Sequence, residues 1–461
     1  MTRQLMEGNR PDPSILWDGE AYYMVYSTLR YKPGLVVYRS EDLRRWTPVC
    51  SALTDDAIRE VWAPDFVRYG GRYYIYFCAD GKNYVIWSDR PDEGYSAPVD
   101  LMVNGFIDPG HIADEETGQR YLFFNNGYAA PLSADGLKVA APPVRVAPEW
   151  PIPEDWEVEG VYMESPKLCR HGEYYYLTVA QGGTAGPPTS HMAIVMRTKV
   201  LPGGWETDPG NPVIHCYSPA EPYWSTGHAT PFLCGDGRWR VVYHGYPQYD
   251  RGRGRVPLLA EVEWTPDGWY RVKTDGCELF AVQPFTETFA DAALSPEWTS
   301  FDSTDRGVWV RPGEWRLSAP EGERRVLAIQ PIGAEYVFTA ECGAVKGSCG
   351  IALFYDPRAS VGLTLKDGGL WQTAGDIQVF AGDWTAAHAW LRLRLRGQVV
   401  SMYVSDDGER YTKCPASFSV DAYTQTVLGG FLSLRPALTA EGGSVSWYCV
   451  NCEPLDSEVL K

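Results

Sequence analysis

The run Asp18-Gly19-Glu20-Ala21-Tyr22-Tyr23-Met24-Val25-Tyr26 decides the fold. A glycine turn followed by aromatic and branched residues reads as a hairpin entering a central, buried strand. The same unit returns as Gly70-Gly71-Arg72-Tyr73-Tyr74-Ile75-Tyr76-Phe77 and as Thr117-Gly118-Gln119-Arg120-Tyr121-Leu122-Phe123-Phe124. It recurs again as His171-Gly172-Glu173-Tyr174-Tyr175-Tyr176-Leu177 and as Asp236-Gly237-Arg238-Trp239-Arg240-Val241-Val242-Tyr243. The turn glycines at 19, 71, 118, 172 and 237 stand 52, 47, 54 and 65 residues apart. A period near 50 with several strands per repeat predicts the blades of a β-propeller, here five. Between the units lie further short strands, such as Leu35-Val36-Val37-Tyr38-Arg39-Ser40, and no amphipathic helix of 12 or more residues. An irregular β-sandwich is the competing architecture.

The texture changes at Phe285-Thr286-Glu287-Thr288-Phe289. Strands beyond it are longer and alternate cleanly, as in Trp390-Leu391-Arg392-Leu393-Arg394-Leu395-Arg396. Alternation with charged outward positions means one buried and one solvated face, so an antiparallel β-sandwich of jelly-roll type is expected. The predicted domains are therefore a propeller over 1–283 and a sandwich over 284–456, with a loose tail from Pro454 to Lys461. A length of 461 residues is itself too great for one ordinary core.

Charge and composition narrow the class of partner. A net charge of −18 repels phosphate backbones and anionic membranes, so nucleic acid and membrane are not the expected partners. A small neutral sugar carries no such penalty. The 18 Trp and 29 Tyr suit sugar stacking as well as strand packing, which must account for most of them. The N-terminal stretch has no apolar core and no small-residue cleavage site, and no apolar run approaches 18 residues. The 11 cysteines are scattered, and the close pair Cys449 and Cys452 has no His or second pair beside it. These thiols read as reduced and not zinc-bound, and the expected compartment is the cytoplasm. Self-association into a homo-oligomer is left open.

In a propeller the first strand of each blade lines the axis, so acids placed early in different blades converge. Asp12 lies in Arg10-Pro11-Asp12-Pro13-Ser14, Asp108 in Ile107-Asp108-Pro109-Gly110 and Glu164 in Glu164-Ser165-Pro166-Lys167. Each is followed by Pro at one or two residues, which predicts a rigid, extended backbone in the residue before it. A chain that holds acids rigidly at a propeller axis is preparing a site. Trp62 and Trp224 can stack on a sugar face from the rim, with core packing as the alternative. The glycine-rich run from Gly182 to Pro188 has no Lys-Ser/Thr and no following helix, so it reads as a pocket-lining loop and not a phosphate loop.

These residues carry a resemblance. Arg10-Pro11-Asp12-Pro13-Ser14, Ser40-Glu41-Asp42-Leu43-Arg44-Arg45-Trp46, Val61-Trp62-Ala63-Pro64-Asp65, Ile107-Asp108-Pro109, the Glu164 segment, Gln181-Gly182-Gly183-Thr184, Thr226-Gly227-His228 and Gly254-Arg255 follow one another. Together they resemble glycoside hydrolase family 43, the β-xylosidase and α-L-arabinofuranosidase type, over nearly all of residues 8–283. The second domain resembles the concanavalin-like sandwich appended to many members. The resemblance implies an inverting, exo-acting hydrolase with Asp12 as general base, Glu164 as general acid and Asp108 as the residue that tunes and orients the acid. It further implies that Arg255 reaches substrate hydroxyls and that Asp65 stands near the substrate, a structural role being the alternative for both. His228 would help hold a calcium ion at the propeller axis through water, although no cofactor is required.

The pattern departs from the family's in three places. Glu-Ser-Pro-Lys stands where members usually have Glu-Gly-Pro-His, and Glu159-Gly160 lies five residues earlier as a second candidate acid. Gly110-His111 follows Asp108-Pro109, and Tyr31-Lys32 replaces a frequent aromatic pair, which points to altered subsites. Two other functions compete with the leading one: a catalytically silent carbohydrate-binding propeller, and a fructan hydrolase of the invertase type. The first would lack one acid. The second needs an Asn-Asp-Pro-Asn-Gly type motif that this chain does not carry.

Overall fold

The computed structural model describes residues 1–278, 280–291 and 293–455; the predicted tail from 456 onward lies outside them. It divides into two compact units. Of the described residues, the first holds those within 1–6, 10–249 and 255–280, and the second those within 7–9, 250–254 and 281–455.

The first unit is a five-bladed propeller of antiparallel sheets. Blade one runs Ser14–Trp17, Tyr22–Val25, Gly34–Ser40, Thr47–Leu53, and blade two Val61–Tyr69, Arg72–Ala79, Lys82–Ser88, Val99–Asn104. Blade three runs Gly110–Ala113, Arg120–Phe124, Tyr128–Pro131, Val144–Arg145. Blade four contains Met163–His171, Tyr174–Gln181 and Met192–Thr198, with two short outer strands. Blade five contains Tyr223–Leu233, Trp239–Pro247 and Val256–Trp264. The N-terminal strand Thr2–Gln4 pairs with that last strand, Gln4 opposite Leu258, so blade five joins the two ends of the propeller chain and closes the ring.

The aromatic runs follow from the packing. Each is the second strand of its blade, and a blade is covered on both faces by its neighbours. Tyr73, Ile75 and Phe77 pack in one apolar cluster with Val25, Leu35 and Val37 of blade one. The alternate residues Tyr74 and Tyr76 pack with Leu122 and Phe124 of blade three. Similar clusters fill the other inter-blade gaps, the last joining Val242 and Leu259 of blade five to Ile15 and Met24 of blade one. Strands buried on both faces read as continuous apolar runs.

The second unit is an antiparallel sandwich built round two long strands, Tyr336–Asp356 and Arg435–Pro454, paired along their length. The first half of Tyr336–Asp356 also pairs with His388–Arg396, and the second half with Ala359–Lys366. Register shifts between Glu341 and Ser348 interrupt the ladder midway along the pair. Trp315, Phe338, Leu353, Leu363, Leu391 and Trp447 are buried between the layers.

Candidate active site

The first strands of the five blades contact one another in a closed ring about the axis, and the candidate acids sit at their entry. The expectation of extended backbone before each proline is corrected here. Asp12 and Asp108 have φ of 57°, Ser165 58° and Ala63 43°, all in the left-handed region and all immediately before a proline. In blade five His228 has φ of 54°. Ladder register breaks at the same places, between Trp62 and Asp65, Glu164 and Lys167, and Gly227 and Thr230. A bulge with a left-handed residue interrupts the in–out alternation of the strand and re-aims a side chain, at a cost of about 1–3 kcal/mol for each strained residue. The repetition of that cost round one axis marks it as the working centre.

Asp12 is 6% exposed. Its Oδ1 receives the Arg255 Nη1 at 3.1 Å and has His228 Nδ1 and His244 Nδ1 each at 3.2 Å, while its Oδ2 accepts from Ser27 Oγ at 2.5 Å. Burial alone would raise its pKa, but its neighbours, the Arg255 guanidinium foremost, outweigh it and hold the carboxyl well below the usual range. It is ionised at neutral pH. The backbone N–H of Asp12 donates to His244 Nδ1 at 3.0 Å, which assigns the His244 proton to Nε2, facing Thr184 Oγ1 at 3.4 Å. Burial lowers His244 to about 4, so this imidazole is neutral.

Glu164 behaves in the opposite sense. Burial, then Asp108, then Asp12 push its carboxyl up to about 8, against the pull of Arg255. Its side chain is 22% exposed against 8% for Asp12, so it is the more open of the two. Asp108 is 6% exposed, and its Oδ2 accepts the N–H of Ser165, the residue after Glu164, at 3.0 Å. Burial and the charge of Asp12 raise Asp108 too, while the Ser165 N–H, Lys167 and Arg255 favour its anion. Negative charge on Asp108 favours the proton on Glu164. Glu159 is exposed, and its Oε2 accepts the Ala185 N–H at 2.7 Å in the loop that reads as pocket-lining.

Asp65 holds the scaffold together. Its Oδ1 receives Lys167 Nζ at 3.0 Å and Ser14 Oγ at 3.4 Å, and its Oδ2 the His111 N–H at 2.7 Å. One carboxylate thus ties blades one, two, three and four, and both of its oxygens are engaged by protein. This also accounts for Lys167, which stands at the altered acid motif; the His111 ring instead accepts Arg120 Nε–H at 2.9 Å. Arg255 is 5% exposed and directed at Asp12. Trp62 is half-buried in the bulge of blade two. Trp224 is half-buried, donates its indole N–H to Pro219 O at 2.9 Å and meets the Tyr249 ring edge-on at 5.0 Å. The Lys32 ammonium is bound to Asp56 O at 2.7 Å, so this departure from the aromatic pair serves a loop.

Asp12, His228 and His244 bring possible ligand atoms within 4.8 Å of one another. As direct ligands they do not fit calcium. That ion takes six to eight oxygens, and here one carboxylate already bound to a guanidinium stands with two imidazoles. Sequence reasoning passed over Ser27, His191 and His244. The signal for His244 was available, because a polar residue in the apolar run Val241-Val242-Tyr243-His244 needs a partner inside.

The model of glycosyl hydrolases family 43 matches residues 1–270, which is more than half of the chain. The protein is a family 43 glycosidase. Among curated relatives, this family 43 chain is 28% identical over 351 residues to a non-reducing end α-L-arabinofuranosidase of Bacteroides ovatus, covering 68% of this chain and 64% of that protein. It is 24% identical to a xylosidase/arabinosidase of Butyrivibrio fibrisolvens, covering 96% and 97% of the two chains. The family 43 fold also matches the crystal structure of a Bacillus licheniformis member, BlXynB, with a TM-score of 0.85 at 22% identity over 99% and 100% of the chains. A xylan β-1,4-xylosidase from Bacillus halodurans gives 0.83 at 20% identity over 97% and 99%.

Proposed function

We propose that this family 43 glycosidase is an inverting, exo-acting β-xylosidase, α-L-arabinofuranosidase or both, acting on small neutral oligosaccharides in the cytoplasm. Asp12 is the general base, Glu164 the general acid and Asp108 the residue that tunes and orients the acid. The observation that carries this reading is the opposite displacement of two carboxyls about one axis, Asp12 held ionised and Glu164 held protonated. Environments that push two acids apart mark the acid and the base. The names of the relatives support the choice of sugar.

In this mechanism Glu164 gives its proton to the glycosidic oxygen as the bond from that oxygen to the anomeric carbon breaks. A water on the opposite face forms the new bond to carbon and passes its proton to Asp12. A carboxylate as weakly basic as Asp12 suffices, because the water becomes strongly acidic as it bonds to the cationic carbon. Arg255, His228 and Ser27 fix the base in place.

The test is hydrolysis of 4-nitrophenyl β-xyloside against 4-nitrophenyl α-arabinofuranoside, with the product anomer followed by proton NMR. Turnover of at least one, with the inverted anomer formed first, is expected. Turnover of neither overturns the choice of sugar, and a retained anomer overturns the role of Asp12.

A further inference from the structure

His191 precedes the third strand of blade four and is completely buried. Its Nε2 lies 3.9 Å from Glu164 Oε1, just beyond hydrogen-bond reach. Among the described residues neither of its ring nitrogens has a hydrogen-bond partner. The chain makes room for this ring: a Cβ at Gly227 would stand 2.3 Å from His191 Cδ2. The His244 ring meets it edge-on at 5.4 Å. A buried ring with both nitrogens unsatisfied is a cost that native proteins seldom carry without a use. A shift of under about 1 Å by the Glu164 carboxyl would satisfy one of them.

We propose that His191 is a positioning residue for Glu164, its Nε2–H holding Oε1 while the other carboxyl oxygen delivers the proton. The proposal rests on Glu164 being the acid. Burial first, then His244, His228 and Arg255, keep the imidazole neutral against the pull of Asp12, so it carries one N–H throughout. The groups facing Glu164 are Asp108, Asp12 and Glu159, all acidic, and Arg255. As Glu164 loses its proton, the new anion joins those acids in a buried site. The His191 N–H then becomes a charge-assisted donor to it, strengthening as the proton leaves.

The experiment compares the 2,4-dinitrophenyl and methyl glycosides of the sugar that the wild type hydrolyses, because only the methyl leaving group needs an acid. His191→Phe keeps the ring and removes the donor. Its kcat on the methyl glycoside should fall about 10–100-fold, with the dinitrophenyl glycoside within about threefold of wild type. The basic limb of its kcat profile should move to higher pH, and His191→Gln, which restores an N–H, should recover part of both effects. Equal losses on the two leaving groups with an unmoved basic limb would overturn the proposal, in either variant should the other fail to fold. Glu164→Gln is the control. If it spares neither leaving group, the assignment of the acid falls; if it spares the dinitrophenyl glycoside while His191→Phe does not, His191 alone falls.

Discussion

Strand Arg72–Ala79 of the propeller and strand His388–Arg396 of the sandwich bury apolar surface in different ways. In the first, Tyr73, Tyr74, Ile75, Tyr76 and Phe77 are all buried, because a neighbouring blade covers each face. In the second, Ala389, Leu391, Leu393 and Leu395 are buried while the residues between them are half-buried or exposed. The difference extends to polar groups. The propeller buries Asp12, Asp65, Asp108, Lys167, His191, His228, His244 and Arg255, whereas the interior of the sandwich is dominated by Trp, Phe, Leu and Val. Burying charge is expensive unless each charge is answered by another or by a hydrogen bond. The propeller axis meets that cost with ion pairs, and two of its acids are left poised between states.

The contrast can be broken most directly at the axis. Glu164→Gln should lower kcat on unactivated glycosides by about 10²–10⁴-fold while the thermal midpoint stays near that of wild type; a collapsed midpoint would mean that Glu164 is structural. Asp65→Asn should do the reverse, costing about 3–5 kcal/mol in denaturant unfolding because it strands Lys167 without its counter-charge. A loss under about 1 kcal/mol would show that the four-blade hub contributes little.

The covering of the strands is tested by a pair of substitutions. Phe77→Ala should cost about 3–5 kcal/mol, and Arg396→Ala, on the exposed end of its sandwich strand, no more than about 0.5 kcal/mol. Comparable losses would erase the distinction between the two kinds of strand. The smallest effect is expected from pH. Glu164 must be protonated to act and its pKa is raised, so kcat should fall as pH rises through about 8. Asp12 must be ionised and its pKa is lowered, so activity should persist down to acid conditions. Asp108→Asn removes a like charge beside Glu164 and should move the basic limb to lower pH; an unmoved limb would detach Asp108 from the acid.

Much of this was legible in the chain. Five hairpins at a period near 50 determine five blades, because a strand covered on both faces must be aromatic and branched throughout. Alternation in 390–396 determines a one-sided sheet, since one face meets water. Placing Asp12, Asp108 and Glu164 at blade entries followed from the same period. The left-handed backbone of the residues before Pro13, Pro109 and Pro166 did not, because proline's local preference is for extended neighbours and only the closed ring overrides it. Nor did the use of Asp65, whose partners Ser14, His111 and Lys167 lie 46 to 102 residues away or in another blade. The pKa values of the acids were equally beyond the sequence. A carboxyl's ionisation depends on burial and on charges within a few ångströms, and residues as distant as Asp12 and Arg255, 243 positions apart, become neighbours only when blade five closes on blade one.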